Sequence, residues 1–229
     1  MMERMTVEDL VHRIEEDIVF GVHPPGSRLI ENRMVERFQV TRHVLRAVFE
    51  RLAHQGLVEH THNRGVEVVE PTPGQIDDLY QVREILETSA ARMMPLPVPR
   101  AVTADIDGIR VRHENAVSEQ DFSAVFHLNI AFHRVQFSSC PNASLTRAVE
   151  AFARKVHIVR AVRYDDAEHM QDVVAQHRGI VDALHGSDAE VYARRVAAHL
   201  SASSTACRRA YEIRHGTSRV SGTGRAQAS

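Results

Sequence analysis

The stretch Val40-Thr41-Arg42-His43-Val44-Leu45-Arg46-Ala47-Val48-Phe49-Glu50-Arg51-Leu52-Ala53-His54-Gln55-Gly56-Leu57 holds a helix start, an apolar stripe, a row of arginines and a helix stop. The first turn of a helix has backbone N–H groups with no internal partner, and the Thr41 hydroxyl can accept from one of them. Leu45, Val48, Phe49 and Leu52 fall at i, i+3, i+4 and i+7, the spacing of a buried helical face. Arg42 and Arg46 lie one turn apart at the N-terminal end, near the face opposite that stripe. That end of a recognition helix meets base edges in the major groove, where arginine pairs bidentately with guanine. Gly56 ends the helix by accepting a left-handed conformation that other residues resist. Taken alone, the segment reads equally well as a surface helix with solvated arginines. Its neighbours decide.

Upstream, residues 6–20 carry Val7, Leu10, Val11, Ile14 and Ile18 on one helical face, and Gly21 closes that helix. Pro24-Pro25-Gly26 makes a rigid turn. A short helix follows at 31–38, with Met34, Val35 and Phe38 apolar, and Gln39-Val40 is a connection short enough to force a close helix–turn–helix pair. Downstream, Leu57–His60 and Val66–Val69 are β-rich runs flanking a Thr61–Gly65 tip, which is a hairpin signal. Three helices and a hairpin predict a winged helix–turn–helix over residues 1–70. Pro71 and Pro73 fall in a linker at 71–75.

The remainder, 76–215, is helical throughout, with candidate helices at 74–94, 100–119, 121–139, 142–163, 165–185 and 188–213. Short connections between them predict an all-α antiparallel bundle, so the chain as a whole is mainly α. The last residues, 216–229, are rich in Gly, Ser, Thr and Ala and are expected to be disordered.

Composition is that of a water-soluble protein, 43% hydrophobic and 25% charged. No apolar run approaches the ~20 residues a membrane helix needs, and the acidic start lacks the apolar core of a signal peptide. Cys140 and Cys207 form no CxxC pair, so free thiols in a cytoplasmic protein are expected. Net charge is −2, and residues 1–70 hold 9 Arg against 12 Asp and Glu, a balance of −3. Within 33–51, however, Arg33, Arg37, Arg42, Arg46 and Arg51 face only Glu36 and Glu50, a local +3. A compact basic patch suits specific docking on DNA better than general adhesion to it.

With these anchors in order, the first 70 residues resemble the GntR family of bacterial transcription regulators. Ile18–Leu29, containing Gly21, Pro25, Gly26 and Leu29, is similar to the family's "I-x-x-G-x-x-x-P-G-x-x-L" opening. Val40-Thr41-Arg42 with Arg46 is similar to its "V-S/T-R-x-x-x-R" recognition helix, and Leu52, Gly56, Leu57 and Arg64-Gly65 follow its later pattern. The family commonly has Glu after the second arginine; here Ala47 stands there. The resemblance implies that Thr41, Arg42, His43 and Arg46 meet DNA, with Thr41 also a cap. Gly65 at the wing tip would let the backbone approach the minor groove, and Arg64 beside it is either a contact or a solvated tip residue.

In the bundle, Asn129 and His133 are four apart and project from one helical face. His133 also lies on the line Phe126, Ile130, His133, Phe137. His177 sits among Val173, Val174, Ile180, Val181 and Leu184, and His199 follows Tyr192 and Val196. One inward histidine is more often a satisfied core residue than a ligand. Three converging on an apolar interior need hydrogen-bond partners or a metal. Residue by residue this half resembles the FCD-type effector domain of the FadR-like branch, whose pattern is an acidic residue four before a first histidine and two further histidines. Here His177 lies 44 residues after His133 and His199 lies 22 further on. The acidic position is Asn129, which brings a carbonyl oxygen but no charge. Three imidazoles and an amide oxygen suit a divalent transition metal, Zn²⁺ or Ni²⁺ above others. The resemblance also implies a small carboxylate effector touching the metal, with Asn129 and Arg83 as effector contacts. Arg83 pairs either with that carboxylate or with Glu87 at i+4. His157 and Arg160 are further candidates for the cavity wall, and the remaining histidines show no ligand spacing.

The sequence therefore predicts a ligand-responsive transcriptional repressor, not an enzyme, bound as a homodimer to a palindromic operator in double-stranded DNA and having no membrane partner. Two alternatives remain: a regulator for which the metal itself is the signal, and a metalloenzyme with an open zinc position.

Overall fold

Thr6 opens the first helix with a reciprocal cap: its hydroxyl accepts from the Asp9 backbone while the Asp9 carboxylate accepts from the Thr6 N–H. In this computed structural model, residues 5–61, 64–157 and 167–216 are described. The N-terminal elements run α1 (Val7–Val19), β1 (Arg28–Leu29), α2 (Glu31–Phe38), α3 (Arg42–His54), β2 (Val58–Thr61) and β3 (Gly65–Val68). Leu10, Ile14, Leu45, Val48, Leu52 and Leu57 are completely buried between them. The two periodic stripes read from α1 and α3 are thus one core, and Gly56 follows α3 at φ +77° as its stop requires.

The sheet has one strand more than the hairpin signal foretold. Its order is β1-β3-β2, with Arg28 opposite Glu67 and Leu29 opposite Val66. The Pro24-Pro25-Gly26 turn sets this up, since Gly26 and Ser27 exchange backbone hydrogen bonds with Val68. Two residues are too short for any period-2 pattern to register, so β1 exists only through its partner.

The second half comprises α4 (Pro73–Arg92), α5 (Arg100–Glu119), α6 (Phe122–Gln136), α7 (Ala143–Lys155), α8 (Ala167–His185) and α9 (Ala189–Gly216). Pro73 takes the first helical position and Thr72 caps it, so α4 absorbs part of the short linker expected at 71–75. Asp121 and Asn142 cap α6 and α7 through the Ala124 and Leu145 N–H groups. The long α9 lies along α4, and α5 packs on both α6 and α8. Ile76, Ile106, Phe132, Ile180, Leu184 and Tyr192 are fully buried among them. Neither Cys140 nor Cys207 forms a disulfide among the described residues, and Cys207 Sγ lies 3.3 Å from the Tyr80 hydroxyl. The expected tail beyond Gly216, Arg160, and the ends of the helices foreseen at 142–163 and 165–185 lie outside the described residues, as do His62 and Asn63 of the wing tip.

The halves touch. Val19 at the end of α1 joins an apolar cluster with Ala116, Phe126 and Val173, and Phe20 meets Phe126 edge-on at 5.9 Å.

Candidate nucleic-acid interface and metal centre

Thr41 caps α3 as its sequence position predicts, accepting from Val44 N–H at 3.3 Å. Thr41, Arg42, His43 and Arg46 are all exposed along the first turns of α3. The two arginines are held from α2. Arg42 donates to Asn32 Oδ1 at 2.9 Å, and Arg46 Nε lies 3.4 Å from Glu31 Oε1. With Ala47 in place of the family's usual Glu, the carboxylate beside the recognition arginines comes from the neighbouring helix. The local +3 is also partitioned. Arg37 binds buried Asp17 at 2.8 Å and Arg51 pairs with Glu8, both on α1. Arg33, Arg42 and Arg46 remain for the outer face.

At the wing, Gly65 has φ +83° and pairs with Thr61 across the hairpin. Arg64 is exposed and approaches Glu67 at 3.5 Å. A groove of about 410 Å³ runs between wing and recognition helix, with Arg28, Arg46, His60 and Gly65 on its walls. Arg28 is a candidate backbone contact that no sequence pattern singles out, because the strand pairing that carries it to the wing is visible only in the structure.

The three histidines converge from three helices. One ring nitrogen each of His133, His177 and His199 lies within 4.8 Å of the others. Ring centroids are 5.1 to 5.4 Å apart. His177 is fully buried and stacked on Phe132 at 4.0 Å, which fixes its plane. His133 Nδ1 is 2.9 Å from Gln136 Oε1, and His199 Nδ1 is 2.7 Å from Gln176 Oε1. An amide oxygen only accepts, so each Nδ1 carries a proton, and in the neutral ring the lone pair is on Nε2. That is the outer arrangement of a metal-ligating imidazole. Asn129 is buried one turn before His133 on α6. The donor set, two imidazoles of fixed tautomer and a third whose plane is fixed by stacking, with a buried amide one turn away, is compatible with a divalent transition ion.

His113 of α5, set aside in the sequence for want of ligand spacing, is buried with its ring 5.0 Å from that of His177. Burial pushes its imidazole down to about 4, with the adjacent Glu114 carboxylate opposing. Unfolded, the same group titrates near 6.5, so between those pH values the unfolded chain takes up a proton that the fold refuses. Stability is therefore complete above about 6.5 and falls as pH drops towards 4, by up to about 3 kcal/mol. Denaturant titrations of metal-free protein at pH 7 and 4 should show the wild type losing about that much more than His113→Leu.

Beside the histidines lies a cavity of about 380 Å³, with His133, Arg83 and Glu87 on its inner wall. Arg83 is buried and contacts Glu87 Oε1 through Nε at 2.9 Å and Nη2 at 2.8 Å. Its Nη1 is buried and has no hydrogen-bond partner among the described residues. Both readings of Arg83 are thus physically compatible: one edge of the guanidinium holds Glu87, and the remaining nitrogen can take an anion. His157 also lines this cavity. Tyr192 donates to the Gln136 carbonyl at 3.3 Å, tying α9 to the end of α6, and burial pushes its hydroxyl pKa up. Among the described residues no helix is long and apolar enough to cross a membrane.

Residues 6–68 match the family model for bacterial regulatory proteins of the gntR family, and residues 78–202 match the FCD domain. The HTH-type transcriptional repressor RspR of Escherichia coli K12 is 26% identical over 197 residues, covering 85% of this chain and 86% of that one. The galactonate operon transcriptional repressor of the same organism is 27% identical, with 89% and 96% covered. Among solved structures, a GntR regulator from Rhodococcus sp. RHA1 superposes with a TM-score of 0.76 at 21% identity, covering 90% of this chain and 98% of that one, which is a likeness of fold.

Proposed function

The chain belongs to the GntR family of bacterial transcriptional regulators with an FCD effector domain, and on that premise we propose that it is a repressor relieved by a small carboxylate. As a homodimer in the cytoplasm it would place two α3 helices in successive major grooves of a palindromic operator. Arg42, Arg46 and His43 read bases there, Thr41 holds the helix start, and Arg64 and Gly65 approach the neighbouring groove. His133, His177 and His199, with Asn129, hold a Zn²⁺ or Ni²⁺ ion. When bound, that ion supplies an electrophilic anchor for a carboxylate oxygen.

The observation that carries this reading is the buried Nη1 of Arg83 on the wall of a cavity that His133 also lines. A buried guanidinium nitrogen without a partner is costly, and an anion in that cavity would satisfy it. The galactonate operon repressor, whose name refers to a sugar carboxylate, is a relative consistent with such a ligand. Glu87, the buried carboxylate on the cavity wall that His133 shares, is held by Arg83, which supports a regulatory reading over an enzymatic one.

The test is fluorescence anisotropy on the protein's own promoter DNA, with zinc-loaded protein and a panel of C3–C6 hydroxy- and dicarboxylates. A matching acid should weaken DNA binding roughly 5- to 150-fold, the usual range of coupling between two sites. Chelation should abolish the response. A switch produced by zinc alone, with no acid needed, would establish the metal-sensing alternative instead.

A further inference from the structure

His113 of α5 is 1% exposed, and its Nδ1 is buried with no hydrogen-bond partner among the described residues. Burying a polar atom without a partner is costly, so such an atom asks for an explanation. Burial keeps the ring neutral at pH 7, with one nitrogen to donate and one to accept. Glu114, its chain neighbour, is held instead by Arg110 at 3.1 Å and by Arg178. The ring that His113 meets is that of His177, with centroids 5.0 Å apart and planes at 53°. A hydrogen bond of ~2.9 Å, with ~1.1 Å from each nitrogen to its ring centre, holds two imidazoles about 5 Å apart. The two rings therefore stand at the separation of a bonded pair.

The three candidate ligands differ in what stands behind them. His133 is backed by Gln136 Oε1 and His199 by Gln176 Oε1, both oxygens that only accept. Behind His177 are rings: Phe132 stacks on its face at 4.0 Å, and His113 lies beside it. The nitrogens that gather within 4.8 Å of one another belong to His133, His177 and His199, and His113 is outside that group. It is placed as the neighbour of one ligand and not as a fourth ligand. An imidazole that binds an ion through one nitrogen donates its other N–H, and that hydrogen bond fixes the tautomer and the direction of the ring.

We propose that His113 is a positioning residue of the metal centre: its Nδ1 accepts the hydrogen bond donated by His177 when that ring binds the ion, as Gln136 and Gln176 accept from the other two. This rests on the metal-binding reading above and extends it. His113 then decides which His177 nitrogen faces the ion. It also ties the centre to α5, a helix that carries none of the three clustered histidines.

Zinc affinity of the full chain, measured by competition with a chromogenic chelator, tests this in the wild type, His113→Gln and His113→Leu. A side chain present only for packing would tolerate Leu and suffer from Gln, which buries an amide. An acceptor predicts the reverse order. Gln, the kind of acceptor already used twice in this centre, should keep zinc affinity within about threefold, and Leu should lose about 10- to 100-fold. Melts of the metal-free proteins run alongside, so that a folding defect is seen apart from a loss of zinc affinity. In nitrogen-15 NMR spectra of the zinc-loaded wild type, the His113 ring should be neutral with its proton on Nε2, its signals assigned by their loss in His113→Gln. Equal zinc affinity in wild type and His113→Leu, a loss in His113→Gln as large as in His113→Leu, or a proton on Nδ1 would overturn the inference and leave a three-histidine site in place. No zinc binding by the wild type would overturn both.

Discussion

Replacing Arg46 by Ala is expected to lower operator affinity by about thirtyfold or more while leaving the fold in place. A good bidentate arginine–base contact is worth about 1–3 kcal/mol, and the proposed dimer would present it twice, so the loss would be roughly 2–6 kcal/mol. The structural cost is small. Arg46 is 69% exposed, and its one carboxylate partner among the described residues, Glu31, is separated by 3.4 Å. An exposed pair of that kind contributes about 0–1 kcal/mol. Anisotropy on operator and on scrambled DNA, with a thermal melt alongside, separates the two effects. Operator affinity unchanged in Arg46→Ala would remove α3 from the role of base reader.

Arg37 and Arg51 give the contrasting case. Both belong to the same sequence patch, yet they turn inward to Asp17 and Glu8 of α1. A charge count along the chain cannot distinguish arginines aimed at DNA from arginines aimed at a neighbouring helix. Helical phase narrows the choice, and the ion pairs of Arg37 and Arg51 narrow it further.

The same distinction explains what could be read from the chain beforehand. The α3 stripe, its Thr41 cap and the Gly56 stop are encoded within eighteen consecutive residues. Local periodicity therefore suffices for them, and the structure agrees. The histidine trio was legible for a different reason: each member sits on the apolar face of its own helix, where an imidazole is out of place unless something recruits it. What escaped notice depends on contacts between distant segments. Gln176 reaches His199 from 23 residues away, and Glu15 meets His157 across 142. The polar face of α1 is a further case, because nothing in its own sequence distinguishes water from a second domain. Only Gln136, three residues after His133, lies within reach of a helical rule.

Stripping the metal is expected to lower the melting temperature by about 5–10 °C. An ion present at a hundred times its dissociation constant stabilises the folded state by about 2.7 kcal/mol. For a chain of 229 residues each kcal/mol shifts the transition by roughly 2–4 °C. In differential scanning fluorimetry the wild type should therefore respond to chelator and recover with Zn²⁺, and His177→Gln should do neither. Because His177 is fully buried and stacked on Phe132, that variant carries a folding cost of its own. Asn129→Asp removes the ambiguity. It keeps the shape of the side chain, restores a negative charge one turn from His133, and should tighten zinc binding by about tenfold or more in chelator competition, since ligand charge is a principal lever on cation affinity. A tighter site with a smaller response to acids would follow from the same electrostatics, because a charged ligand leaves the ion less attractive to an incoming carboxylate. Zinc affinity unaltered by Asn129→Asp would place residue 129 outside the coordination sphere and leave the three histidines to hold the ion alone.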